Sequence, residues 1–261
     1  MAALAIGSGL LFPDTATASA NTDSNQWRVE ITPYFFAAGL DGTAGAKGVT
    51  TNVDMSFSDV WDHLDSAFMG LIEVGKNRWF FAFEGIYFKL DGEKSNSWTG
   101  PGGIGTVSAD LKVTSTEIVY QASVGYRILD GATKLDVYGA ARYTDLESEL
   151  KLTATTPAIL FPGGTRKVDG SESWIDPVIG VRILAPMSAH WDFLGLLDVG
   201  GFGASGDIDR SYQWITGATW SFATDFSMKV GYRYFYQNYQ NNGTVWDMVA
   251  KGPYIGLGIE F

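Results

Sequence analysis

The sequence predicts a transmembrane, antiparallel, up-and-down β-barrel of ten strands, with twelve as the alternative. Three observations predict it. Only 18% of the 261 residues are charged, against about 25% in ordinary globular chains. Beyond residue 20 no apolar run approaches the ~18 residues that a spanning helix needs, and a span without helices must close into a barrel, because lipid offers backbone groups no partner. From residue 116 onward the core of every strand-like stretch alternates, with one apolar face free of charge and the charges on the other. A soluble, lipocalin-like barrel has the opposite polarity, with its charges outside.

Composition bounds the rest. The net charge of −11 argues against nucleic acid, which calls for basic patches. Cysteine is absent, so no Cys/His zinc spacing exists. The glycine-rich stretch Gly102-Gly103-Ile-Gly105 lacks the strand, helix and lysine context of a phosphate loop and reads as a hairpin tip. No cofactor is expected. Residues 1–20 read as a signal-peptide-like segment. Ala2 to Phe12 is mostly apolar, and Ala18-Ser19-Ala20 is an A-x-A site before Asn21, although no Lys or Arg precedes Arg28. The expectation is therefore one barrel domain over residues 21–261.

Taken in order, Trp27–Leu40 is the first strand, with Pro33 expected in a bulge because it cannot donate to a ladder. Residues 40–66 are less regular and are expected as an outer loop, a lid or an inward-folded plug. Within them Ser58 is the expected cap of one or two helical turns. Phe68–Val74 and Trp79–Leu90 form strands either side of the Lys76-Asn-Arg78 turn. Val107–Ile128 returns, and Asp130-Gly-Ala-Thr133 turns the chain into the strand that begins at Leu135. Further alternating stretches run from Ile175, Trp191, Tyr212 and Met228, and the closing strand follows Asn241-Asn-Gly243 and ends in Gly252–Phe261, where Ile255, Leu257, Ile259 and Phe261 share one face. Barrels of this kind normally have an even strand number and short turns at the end that carries both termini. Ten strands satisfy this when residues 40–66 count as one outer connection.

The closing residues Tyr254, Gly256, Ile259 and Phe261 resemble the C-terminal assembly signal of Gram-negative outer-membrane barrels. Gly231-Tyr-Arg-Tyr-Phe-Tyr236 is similar to penultimate strands of small OmpA-like and opacity-type barrels. Thr32-Pro-Tyr34 and Ser56-Phe-Ser-Asp59 resemble segments of largely uncharacterised outer-membrane barrel proteins. The resemblance covers about residues 27–261. It implies an outer-membrane location, insertion by the barrel-assembly machinery, and lipid and lipopolysaccharide as neighbours. It supplies no catalytic residue.

The polar face defines the candidate lumen: Arg28, Glu30, Glu73, Glu84, Glu117, Arg127, Asp136, Arg142, Asp176, Arg182, Asp198, Lys229 and Arg233, with Asp192 and Glu260 in the same phase. Two readings follow. The charges pair and fill a narrow barrel, or they line a small, porin-like pore for small polar solutes or ions. Ten strands lie nearer the filled than the open end of the size range. A second function class is a surface-binding barrel whose outer hairpins, with Trp98, Ile159, Leu160 and Phe161, contact a partner, ligand or lipopolysaccharide. Asp145, Glu147 and Glu149, with Asp169 and Glu172 across the hairpin, form an acidic rim or an oxygen-ligand set. His63, with Asp62 and Asp65, is a candidate general base at the rim. No serine is tied to it by a motif, so the chain is read as a non-enzyme.

Overall fold

The computed structural model describes residues 26–46, 49–99, 106–155 and 164–261. The expected signal segment, the 100–105 hairpin tip and Ile159, Leu160 and Phe161 lie outside them. The elements are β1 (Arg28–Phe36), β2 (Gly39–Ala46), β3 (Val49–Met55), α1 (Phe57–His63), β4 (Leu64–Lys76), β5 (Trp79–Thr99), β6 (Thr106–Asp130), β7 (Lys134–Thr155), β8 (Gly164–Pro186), β9 (Trp191–Gly200), β10 (Ile208–Ser221), β11 (Phe226–Asn241) and β12 (Thr244–Glu260). β1 pairs with β4, each strand from β4 onward pairs with the next, and β12 returns to β1. The result is a closed antiparallel barrel of ten strands, with β2 and β3 added above it.

Alternation decides which side of the wall each residue meets. Phe83, Val124, Ile175, Ile179, Leu197 and Ile255 all point outward and are exposed. Aromatic pairs bound this apolar belt. Trp79 meets Tyr126 at 4.9 Å and Trp191 meets Trp220 at 5.9 Å near one end, while Tyr212 contacts Tyr234 and Tyr236 near the other. Below the upper tyrosines and above the lower tryptophans the outward positions of the described strands carry no charge, as lipid requires; Lys251 stands outward in register with Tyr234, at the girdle itself. The short connections after β4, β6, β8 and β10 share one end with Phe261. Asn77 takes a left-handed φ of 56° in the first of them, a conformation asparagine tolerates. By the rule of short periplasmic turns this end faces the periplasm. β5, β6, β7 and β8 run for 21, 25, 22 and 23 residues. A spanning strand needs about 10, so their upper halves stand above the membrane.

The first wall strand is continuous. β1 and β2 pair with β12 in one unbroken register from Glu30↔Glu260 to Gly45↔Val245. The bulge expected at Pro33 is absent. Pro33 stands opposite Gly70 and the register is the same on either side of it, so the ring loses one donor without inserting a residue. The second wall strand is interrupted. Leu40 pairs with Met55 and Pro33 with Gly70, so six residues of the first strand face fourteen of the second. α1 takes up the excess. Residues 40–66 are thus a β-hairpin followed by a helix built into the wall. The cap is Ser56 rather than Ser58. Asp59 lies three residues after Ser56, and each satisfies the other's backbone N–H (2.8 and 3.3 Å), which is the reciprocal geometry of a capping box.

Inside, large rings lie over glycines of neighbouring strands. A Cβ on Gly125 would stand 2.2 Å from the Phe80 ring, and one on Gly180 2.4 Å from Tyr138. Glycine is used here for close approach.

Candidate functional site

The lumen changes character with height. The periplasmic third is a vestibule of about 520 Å³ lined by Arg28, Glu30, Glu73, Glu84, Arg127, Arg182, Lys229 and Arg233. These side chains are matched in pairs. Lys229 binds Glu30, and Arg28 approaches Glu260 at 4.0 Å. Arg182 joins Glu73 to Asp136, the latter at 2.8 Å, and lies over the Phe80 ring. Arg127 holds the same Asp136 at 2.9 Å. Deeper in, Arg233 meets Glu84 at 2.8 Å, and the Tyr34 hydroxyl donates to Glu84 at 2.6 Å.

A sealed layer adjoins this one. Arg142 donates to Asp198 at 3.0 Å, to Gln121 at 2.8 Å and to Ser211 at 3.1 Å. Asp198 also accepts from Tyr138 and Gln213, and Asp176 accepts from Ser211. Arg142, Asp176 and Asp198 are each about 1% exposed. Buried charge is tolerable only when paired and hydrogen-bonded, as at Arg142 and Asp198; Asp176 has no ion pair among the described residues and its Oδ1 no hydrogen-bond partner. Tyr34, Tyr138, Gln121, Gln213 and Ser211 complete these networks, and the sequence reading passed over them. The two glutamines alternate in phase with the charges, which was the available signal.

Above this layer the lumen is mainly apolar, although Asp209, opposite Tyr239, and Gln237, opposite Met248, are buried at the same height. Leu40, Leu90, Leu146, Trp174, Tyr239, Trp246 and Met248 form one cluster, with Val53, Met55, Val60 and Leu64 against it. Trp174 and Tyr239 stack at 4.2 Å. β2, β3 and α1 supply much of this cap. Glu117 is the exception among the thirteen candidates. It points inward but joins neither charged layer, and lies at the height of the cap between Phe88 and Leu146.

The rim residues do not assemble. The His63 ring contacts the Asp59 carbonyl oxygen at 2.7 Å, and Asp65 is held by Lys89 at 3.0 Å. The expected histidine–carboxylate arrangement is therefore missing. Lys89 holds the Asp65 carboxyl below its ordinary value, first by hydrogen bonding and then by its charge. Glu149 faces Asp169 but pairs with Lys167 at 2.8 Å. Glu172 lies opposite Leu146, on the inward face, and accepts from Thr244. No group of three or more acidic or histidine side chains fit for a metal ion occurs among the described residues.

No protein-family model matches the chain, and no curated protein matches it. Among solved structures it is similar to the outer membrane protease OmpT from Escherichia coli, with a TM-score of 0.59 and 10% identity over 90% of this chain and 97% of that one. The fold is that of a Gram-negative outer-membrane β-barrel. The translocator domain of the autotransporter NalP from Neisseria meningitidis aligns with a TM-score of 0.41 and 14% identity over 92% and 90% of the two chains. Ail, the attachment invasion locus protein of Yersinia pestis, aligns with a TM-score of 0.29 and 12% identity over 91% and 99%. The uncharged belt and the aromatic girdles suit the outer membrane.

Proposed function

We propose that this outer-membrane barrel is a structural or very weakly conducting one, with a polar vestibule on the periplasmic side and a lumen closed toward the surface. The observation that carries this reading is the succession of paired charges and apolar cap above the vestibule. An ion crossing it would displace the buried Arg142–Asp198 pair and then shed its water among Leu90, Leu146 and Trp174. Either step is costly. The test is single-channel conductance of the refolded barrel in a planar bilayer, with and without residues 39–63. The intact barrel should be silent or give rare small steps. The deletion joins β1 to β4 directly and removes much of the cap, so larger and more frequent steps are expected. Porin-sized steps from the intact barrel would sink the proposal.

A second reading is favoured by β5–β8, whose upper halves project above the girdles. These ribbons would contact lipopolysaccharide or a surface partner. Removing them would then abolish adhesion to lipopolysaccharide-coated surfaces without changing conductance. We assign insertion by the barrel-assembly machinery to the closing residues Tyr254, Gly256, Ile259 and Phe261. Phe261→Ala should slow assembly in proteoliposomes carrying that machinery.

A further inference from the structure

Behind α1 the wall encloses a second cavity, of about 70 Å³, which shares only Arg233 with the vestibule. Its lining comes from both faces of the wall. Phe57 and Trp61 of α1 are exposed on the outside, and Val119, Phe235 and Met248 are lumen residues. The wall can be crossed here because β1 beyond Pro33 and the region below Met55 have a helix between them instead of a ladder.

The cavity is apolar apart from a few groups. Glu117 is 5% exposed, and no charge or hydrogen bond within the described structure compensates it. Buried carboxyls are normally partnered. Two further groups on lining residues, Trp246 Nε1 and Arg233 Nε, are buried and also lack partners. One carboxyl group and two N–H donors are thus left without partners on residues that line one apolar space. A hydroxyl group both donates and accepts, so it can serve Glu117 and one of the two donors at once. At roughly 10–15 Å³ for each water held, the space amounts to about five to seven waters, the bulk of a six-membered ring.

We propose that this cavity binds a small lipophilic phenol or alcohol, one ring or a short chain bearing a single hydroxyl, admitted from the outer leaflet beside Phe57 and Trp61. The hydroxyl donates to Glu117 and accepts from Trp246 or Arg233. The apolar part lies against Val119, Phe235 and Met248.

The test uses the whole refolded barrel in lipid nanodiscs, photolabelled with a diazirine-bearing phenol and mapped by mass spectrometry. Label should fall on α1 and on residues 235–250. At matched concentration in the membrane, phenol should displace it at about tenfold lower concentration than benzene, which leaves the polar groups unpaired. Glu117→Leu should bring the two competitors within about threefold of each other, while Glu117→Gln, which still accepts a hydrogen bond, keeps the preference. Ala250→Phe fills the cavity from β12 and should abolish labelling while the unheated gel band still reports a folded barrel. Equal competition by benzene and phenol in the unmodified chain, or unchanged labelling of a folded Ala250→Phe barrel, overturns the proposal.

Discussion

Replacing Arg142 by methionine should destabilise the barrel more than the same change at Arg182, although each arginine serves acidic partners. The difference is access to water. The side chains of Arg142 and Asp198 are 1% and 0% exposed, so the carboxylate left behind has no route to solvent. Removing one member of such a pair costs about 3–5 kcal/mol. Tyr138 and Gln213 still donate to Asp198, which places the expected loss at about 4 kcal/mol. The side chains of Arg182 and Glu73 are 13% and 17% exposed toward the vestibule, and Asp136 keeps Arg127. Glu73 can rehydrate, so about 2 kcal/mol is expected. Urea unfolding from lipid bilayers, followed by tryptophan emission, measures both. Adding Asp198→Asn to Arg142→Met removes the orphaned charge and should recover at least about 1 kcal/mol. A smaller effect at Arg142 than at Arg182, or one under about 1 kcal/mol, would refute the view that the upper layer is sealed.

Three further outcomes are expected. Gly125→Ala pushes a methyl group into the Phe80 ring and should cost about 1–3 kcal/mol in the same unfolding assay, with most of the loss relieved in a Phe80→Leu background. Ser56→Ala removes one half of the capping box; about 1 kcal/mol of helix stability should go with it, seen as a red shift of a reporter on Trp61 and faster proteolysis within residues 57–63. In Lys89→Met the Asp65 carboxyl should rise from its depressed position toward its ordinary value, read by carbon NMR titration. Because the folded-state value is depressed, the pair's stabilisation is present above the ordinary value and fades as pH falls through the folded one; an unchanged titration in Lys89→Met would dissociate Asp65 from Lys89.

Much of the wall was legible because each residue's side of it follows from period two alone. Ile175, Ile179 and Val181 declare the lipid face, and Asp176, Arg182 and Asp198 declare the lumen, without knowledge of any partner. Height in the lumen was not legible. Glu117 alternates in phase with Gln121 and Arg127, yet its neighbours across the strands are Phe88 and Leu146. That depends on register between strands far apart in sequence. The place of α1 was hidden for the same reason. A helix of 7 residues is too short for a persuasive period, and its role as wall exists only because the pairing on its two sides is offset. The Ser56–Asp59 box, in contrast, was readable: the spacing from Asp59 selects Ser56 over Ser58.

The helical interruption gives the barrel an uneven stiffness. Elsewhere around the ring below α1, neighbouring strands are locked by backbone rungs that resist sliding. Residues 34–37 keep their backbone bonds to β12, but on the side that faces α1 the described contacts are between side chains, through Phe35, Phe57 and Trp61. Bilayers that thicken or thin strain the proteins they hold, and a tube under such strain shears where its rungs are missing. Below Pro33 the β1–β4 ladder is intact, so the compliant sector is confined to the outer-leaflet half. The thickness of the lipid around this barrel therefore acts on one side of it and at one depth.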